Sequence, residues 1–411
     1  MPGARPNCNW RDWANLTAGP ADLIAERVLA DDVANYLRFR AVCSSWRRCT
    51  ASPHAHGSLD RQFHPRQWIM LQRSSGAARK RRRFLNVSTG EHICVNLPEL
   101  RCHFVFGATS DGLIVLCDKN TYVVRLLNPL TRQLTDFPEG TTLLPPLKRQ
   151  LTMYRRRLQN LRLLSSGPAD DSSTVALHFG SRCLFVAQPS SERWRRCGHW
   201  KGSVLTISTL SFAGRFYCVT EEGIMVVDVT ADSQRLQLVV AAEVEQGVCN
   251  WPYPDTVNLV DNGGELILVN SKGAGLTDSD LLPEKYEVHR VDLDSRKMIP
   301  TQGLRGRAVF VSGKRRGLAL SVPAGLSSSI GADTVYRCSA WADGRPRIDA
   351  YHLLDGSIQQ DFRGGEIVDY LSRYVNLSED AVDVVPAAGP RKRGSRKRKA
   401  NPKVTGNEWI N

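Results

Sequence analysis

The sequence predicts an α+β chain: a small N-terminal helical module followed by a mainly antiparallel β-propeller-like domain of five to seven blades. Three observations predict it. Residues 16–47, LTAGPADLIAERVLADDVANYLRFRAVCSSWR, carry apolar residues at helical spacing. From about residue 84 one pattern recurs: an alternating apolar strand, a turn holding Asn or Asp beside Ser or Thr, and a second strand. The 21 prolines and 32 glycines are spread along the whole chain, which suits many short strands joined by turns.

In chain order, residues 1–12 read as a flexible leader. The opening MPGARPNCNWRDW has no apolar h-region, so no secretory signal is expected. No run of 18 apolar residues occurs, so no transmembrane helix is expected. The helical module spans 13–50. Leu16, Leu23, Ile24, Val28 and Leu29 form its first apolar group, and Asp31-Asp32 offers an N-cap for a second helix. Phe39, Val42, Cys43 and Trp46 fall at i, i+3, i+4 and i+7, one helical stripe flanked by Arg38, Arg40, Arg47 and Arg48. A unit of about 40 residues has too little core to stand alone, so it packs on a neighbouring domain or a partner. Residues 51–66 read as a polar linker into a strand at Trp68–Leu71. The stretch Ser74 to Arg83, with RKRRR at 79–83, reads as a solvated hairpin loop.

The β domain is placed at 67–385. Its turns fall at Asn86, Asn128, Gln188, Asp228 and Asp292, in steps of 42, 60, 40 and 64 residues. Short Asn and Asp side chains bond the following backbone amides and so make the turn. The flanking strands pair as antiparallel hairpins, and one hairpin cannot bury its own face. Steps of this size suit the four-stranded blades of a propeller. A large β-sandwich or split barrel is the competing architecture.

The helical module resembles an F-box. The residues that carry the resemblance are Leu16, then Pro20-x-Asp22-Leu23-Ile24, Val28-Leu29, and above all the run RFRAVCSSWR at 38–47. The later FLNVSTGE, SDGLIVLCDKNTYVVRLLNPLTRQLTDFP, SIGADTVYRCS and SRYVNLSEDAV resemble plant F-box proteins with a C-terminal β-propeller-like domain of unknown function. The resemblance implies a non-catalytic substrate receptor of a Skp-cullin-F-box ubiquitin ligase. Its implied partners are a Skp-type adaptor, through it a cullin, and a protein substrate held by the propeller. The implied adaptor-binding residues are Leu16, Pro20, Leu23, Ile24, Val28, Leu29, Val33, Leu37, Val42 and Trp46.

No catalytic or cofactor motif is present. The chain lacks a Walker loop, a GxGxxG after a strand, an HExxH and a GxSxG. His54, His56 and His64 sit near the linker without two further ligands at zinc spacing, and Asp278/Asp280 and Asp292/Asp294 lack a full calcium loop. No cofactor, metal or membrane partner is therefore expected. The eleven cysteines form no CxxC pair, and most lie in apolar runs such as HICVNL, LIVLCD and RFYCVT, which reads as buried free thiols.

The formal charge is +14, but the run at 391–403 in the tail supplies eight cations and leaves about +6 for the rest. Arg391, Lys392, Arg393, Arg396, Lys397, Arg398 and Lys399 read as a nuclear-localisation signal, or else as an arm for nucleic acid. The basic clusters at 155–157, 193–196 and 314–316 read as solvated loops or as a basic rim. Only Tyr154 and Trp194 among their neighbours could stack on a base. A nuclear nucleic-acid-binding protein is thus the alternative to the ligase receptor.

Overall fold

The computed structural model describes residues 18–56, 59–71, 81–144, 155, 157–158, 161, 163–170, 173–179, 183–197, 208–220, 223–229, 237–243, 257–272, 285–313, 318–340 and 346–376. Helix α1 (Ala18–Asp31) carries Pro20 in its first turn, where a missing N–H removes no helical bond. Asp32 then adopts extended backbone, φ −151° and ψ 125°, and its side chain caps α2 (Val33–Val42) by accepting from the Ala34 amide at 2.9 Å. The expected Phe39–Trp46 stripe is not one helix. Cys43 is extended and its sulfur accepts from the Trp46 amide at 3.4 Å, so a new helix, α3 (Ser44–Arg48), starts there. Phe39 and Trp46 still meet across the break, with rings stacked at 4.3 Å.

The expected linker is structured. It holds α4 (Pro53–His56) and a 3-10 turn at Arg61–Phe63, and Phe63, His64 and Pro65 are buried. Asn128 donates through Nδ2 to the Phe63 carbonyl at 2.8 Å. Gly112 follows from the same packing: its φ is +88°, and a Cβ there would lie 2.3 Å from the Pro65 carbonyl oxygen.

The described strands form five sheets and build a mainly antiparallel β-propeller, at the lower end of the blade number expected. The first holds β1 (Trp68–Met70), β2 (Arg81–Asn86) and β3 (His92–Asn96). The second holds β4 (His103–Ala108), β5 (Ile114–Asp118), β6 (Val123–Leu127) and β7 (Leu134–Glu139). The third holds β8 (Leu163–Pro168), β9 (Val175–Phe179), β10 (Cys183–Ala187) and β11 (Arg195–Arg196). An eight-stranded sheet joins two antiparallel halves. One half is β12 (Thr209–Phe212), β13 (Arg215–Thr220), β14 (Gly223–Asp228) and β15 (Gln237–Glu243). The other is β16 (Val257–Asp261), β17 (Leu266–Lys272), β18 (Lys285–Asp292) and β19 (Lys297–Thr301). A single parallel pairing, Glu243 with Lys297, links the halves. The last sheet holds β20 (Arg307–Ser312), β21 (Ala319–Pro323), β22 (Thr334–Ala340), β23 (Pro346–His352) and β24 (Ile358–Gln359).

The repeated turn has one chemistry. The side-chain oxygens of Asn86, Asn128 and Asp292 each accept from the amides two and three residues later, at 2.9–3.2 Å. Asp118 does the same at 2.8 and 2.9 Å. At Gln188 the order is reversed, with the Gln188 amide donating to the Ser191 hydroxyl at 3.0 Å.

The strands stack through apolar clusters that run around the ring. Phe106, Leu177 and Phe185 join the second and third sheets, and Tyr217, Ile224 and Leu268 join the halves of the eight-stranded sheet. Closure is made by α5 (Glu366–Val375), whose Val368, Leu371 and Val375 are fully buried with Phe310 and Tyr336 of the last sheet and Ile69 and Leu85 of the first. Arg83 adds a polar fastening, donating to the Tyr370 hydroxyl at 3.0 Å. Arg81–Arg83 therefore begin strand β2 and are not the solvated loop expected; residues 79–80 lie outside the described ones. Trp194 is likewise core: it is 4% exposed, stacks near Phe137 and donates to the Pro138 carbonyl at 3.0 Å, so it is not offered to a base. Among the described residues, no helix is long and apolar enough to cross a membrane.

Candidate functional site

Two places stand out as surfaces that could bind something. The first is the outer face of the helical hairpin. Its inner face is fixed. Ala25, Val33, Ala34 and Tyr36 are buried against Phe63, Trp68, Phe84, Leu97 and Ile114. Orientation is set by the Asp32 carboxylate, which besides capping α2 accepts from Trp68 Nε1 at 2.9 Å and from Asn86 Nδ2 at 3.4 Å. All three side chains are buried. A buried carboxylate is tolerable only when such donors replace water. Tyr36 donates its hydroxyl to the Ala51 carbonyl at 2.6 Å, and Arg40 Nη1 reaches the Thr50 carbonyl, the Thr50 hydroxyl and the Ala51 carbonyl at 2.5–2.7 Å. Arg38 and Glu91 form a forked ion pair that ties α2 to the first sheet.

The outer face holds apolar side chains that nothing in the described chain covers. Leu23 is 68%, Val42 63% and Ile24 40% exposed. Pro20 is exposed as well and Trp46 is half-buried, whereas the half-buried Val28, Leu29 and Leu37 pack against the inner cluster and are not on the uncovered face expected of them. Val33, at 3% exposure, belongs to the core and cannot touch a partner, which removes it from the expected adaptor-binding set. Val33 faces inward because it packs in one cluster with Trp68 and Phe84 of the first sheet. Leu16 lies outside the described residues, as do the cations of the tail at 391–399.

The second place is a cavity of about 720 Å³ to which all five sheets contribute. A smaller one of about 260 Å³ adjoins it and shares Arg61, Thr109, Asp111 and Pro168. The main wall is made of strands that each end their sheet: β1, β4, β8, β12, β16 and β21. Their edges are stitched by hydroxyls. Thr209 bonds both Ser165 and His178, the latter at 2.9 Å, and Ser211 donates to the Pro168 carbonyl at 2.9 Å. His64 and Asp111 form a buried pair, Nδ1 to Oδ2 at 2.5 Å. Burial pushes the Asp111 carboxyl up, but the bond and charge of His64 outweigh it and hold the group below the usual carboxylate range.

Sequence reading missed this cavity. Its lining residues are scattered from 61 to 374, and only the fold brings them together. Among the described residues, no group of three or more His, Cys, Asp or Glu is placed to hold a metal. The eight cysteines whose side chains are described are free. Compared with known families, residues 65–361 match the family model described as KIB1-4 beta-propeller. No curated protein matches the chain.

Proposed function

We propose, for a chain that belongs to the KIB1-4 beta-propeller family, that it is the substrate-recognition subunit of a Skp-cullin-F-box ubiquitin ligase. The family is linked in general terms to F-box proteins of ubiquitin ligases. In this reading the helical hairpin is the F-box and docks a Skp-type adaptor, while the propeller holds the substrate. The observation that carries it is the pair of faces on one hairpin. One face is bedded on the ring by apolar packing and a polar knot, and the other leaves Leu23, Ile24 and Val42 in water. Uncovered large apolar side chains on an anchored helix suit a protein interface. The chain would then accelerate ubiquitin transfer by raising the local concentration of substrate beside the ligase, with no chemistry of its own.

The test is co-purification of the full chain with a Skp-type adaptor. Leu23→Glu and Val42→Glu should each abolish capture while thermal unfolding stays as in the parent. Capture that persists in a folded double variant removes the docking assignment. The basic tail at 391–399 is proposed to direct the protein to the nucleus. A fluorescent fusion truncated after residue 385 should then lose its nuclear enrichment.

A further inference from the structure

We infer that the central cavity is a receptor site for an anionic, extended peptide segment. The inference deepens the receptor reading above by naming the chemistry of what the propeller would hold.

Three features of the cavity point there. Its volume, about 720 Å³, lies in the range of ligand-binding pockets and admits a few extended residues. Its wall is built from terminal strands, whose outward edges carry main-chain donors and acceptors. An extended peptide can meet such edges with its own amides, whereas a base needs an aromatic face to stack on. The lining aromatics are already engaged in the ring: Phe212 packs edge-on against Tyr217 at 6.3 Å, and Tyr374 packs on the apolar cluster of α5.

The third feature is charge. Arg66 is exposed at the wall and donates to the Arg61 carbonyl at 2.9 Å. Arg307 lies half-buried over the backbone of Gly263, donating through Nε to the Ser321 hydroxyl at 2.9 Å and through Nη2 to the Ser321 carbonyl at 3.2 Å. Those partners are neutral. Desolvation lowers its pKa, with only the more distant charge of Asp261 opposing. The carboxylates of the wall are engaged elsewhere: Asp111 with His64, and Asp261 with the Gly264 amide at 2.7 Å. A half-buried guanidinium held by neutral oxygens gains most from an incoming oxyanion.

Carboxylate and phosphoryl groups share this chemistry, so the test includes both. Fluorescence polarisation on the purified full chain would use labelled nonapeptides rich in Glu, their Gln counterparts, a phosphoserine version and a single-stranded RNA of equal charge. The Glu or phosphoserine peptide should bind, its affinity should fall with salt, and the Gln peptide should bind at least tenfold more weakly. Arg307→Gln and, separately, the surface change Arg66→Gln should each weaken binding about tenfold. Leu23→Glu should leave it unchanged. Equal binding of Glu and Gln peptides, preference for the RNA, or full affinity in both arginine variants with normal thermal melts overturns the site. Adaptor capture is measured apart. If it survives while peptide binding fails, only this inference falls; the reverse result removes the adaptor docking and leaves the cavity site standing.

Discussion

The helical hairpin and the C-terminal helix are fastened to the same first sheet by opposite chemistry. Neighbouring residues of that sheet divide between them: Trp68 and Phe84 face the hairpin cluster, while Ile69 and Leu85 face the cluster of α5. The alternation is the period of a strand. On the hairpin side the join is centred on Asp32 and its donors Trp68, Asn86 and Ala34. On the α5 side it is mainly apolar, through Val368, Leu371 and Val375, with the Arg83–Tyr370 bond at its margin. A polar knot admits one orientation, because every displacement strands a donor. An aliphatic seam admits many but gains more from area. The first therefore aims the hairpin, and the second holds the ring shut.

The sharpest way to break this contrast is at the seam. Leu371→Ala should lower stability by about 2–5 kcal/mol, since it opens a void where the ring closes. Leu371→Met should stay within about 1.5 kcal/mol. Urea unfolding measures both, and equal losses would show that shape, not area, governs the seam. Next comes the knot. Asp32→Ala removes a helix cap and leaves buried donors unmet, an expected loss of about 2–3 kcal/mol. Here the conservative change is not spared: Asp32→Asn should still cost about 1 kcal/mol, because its amide cannot serve three donors. If Asp32→Asn is neutral, the knot does not fix orientation.

A smaller effect comes from the buried pair beside the cavity. Asp111 has a lowered pKa in the folded chain, so its carboxylate stabilises the fold above the unfolded value of about 3.9. That contribution is lost as pH falls through the folded value. The fall in stability below about pH 4 should therefore be shallower in Asp111→Asn. A parallel acid limb in parent and variant would contradict the pairing with His64.

Much of this could be seen in the sequence, and the gaps have physical causes. The turn residues Asn86, Asn128 and Asp292 declared themselves, because an Asx turn is local chemistry. The Asp32 cap was legible for the same reason. The break at Cys43 was not, since a helical stripe persists across it through the Phe39–Trp46 stack. The packed segment at 59–66 was misread as linker because its burial depends on partners such as Asn128, far along the chain. Sequence periodicity also could not sort the hairpin's apolar residues, since Val33 and Leu23 are alike until the first sheet is in place.

The cysteines carry the same lesson into the smallest prediction. HICVNL and LIVLCD look alike as text, yet Cys94 is exposed and Cys117 is fully buried. Strand β3 ends its sheet and alternates, whereas β5 lies inside its sheet and is buried at every position. Burial pushes the Cys117 thiol up to about 12, so almost no thiolate forms at pH 8. Iodoacetamide at pH 8 should therefore modify Cys94 and Cys102 in the native chain and spare Cys117, Cys218 and Cys338, as read by peptide mass. The comparison of the two joins then becomes a labelling pattern. Cys338 sits in the seam with Leu371 and Val375 of α5, is pushed up to about 12 by burial, and donates its thiol to the Tyr336 carbonyl at 3.6 Å. Leu371→Ala should expose Cys338 before Cys117 or Cys218, while Asp32→Ala should not. Simultaneous labelling of all three buried thiols in both variants would mean that the joins do not open separately and that the ring unfolds as one unit.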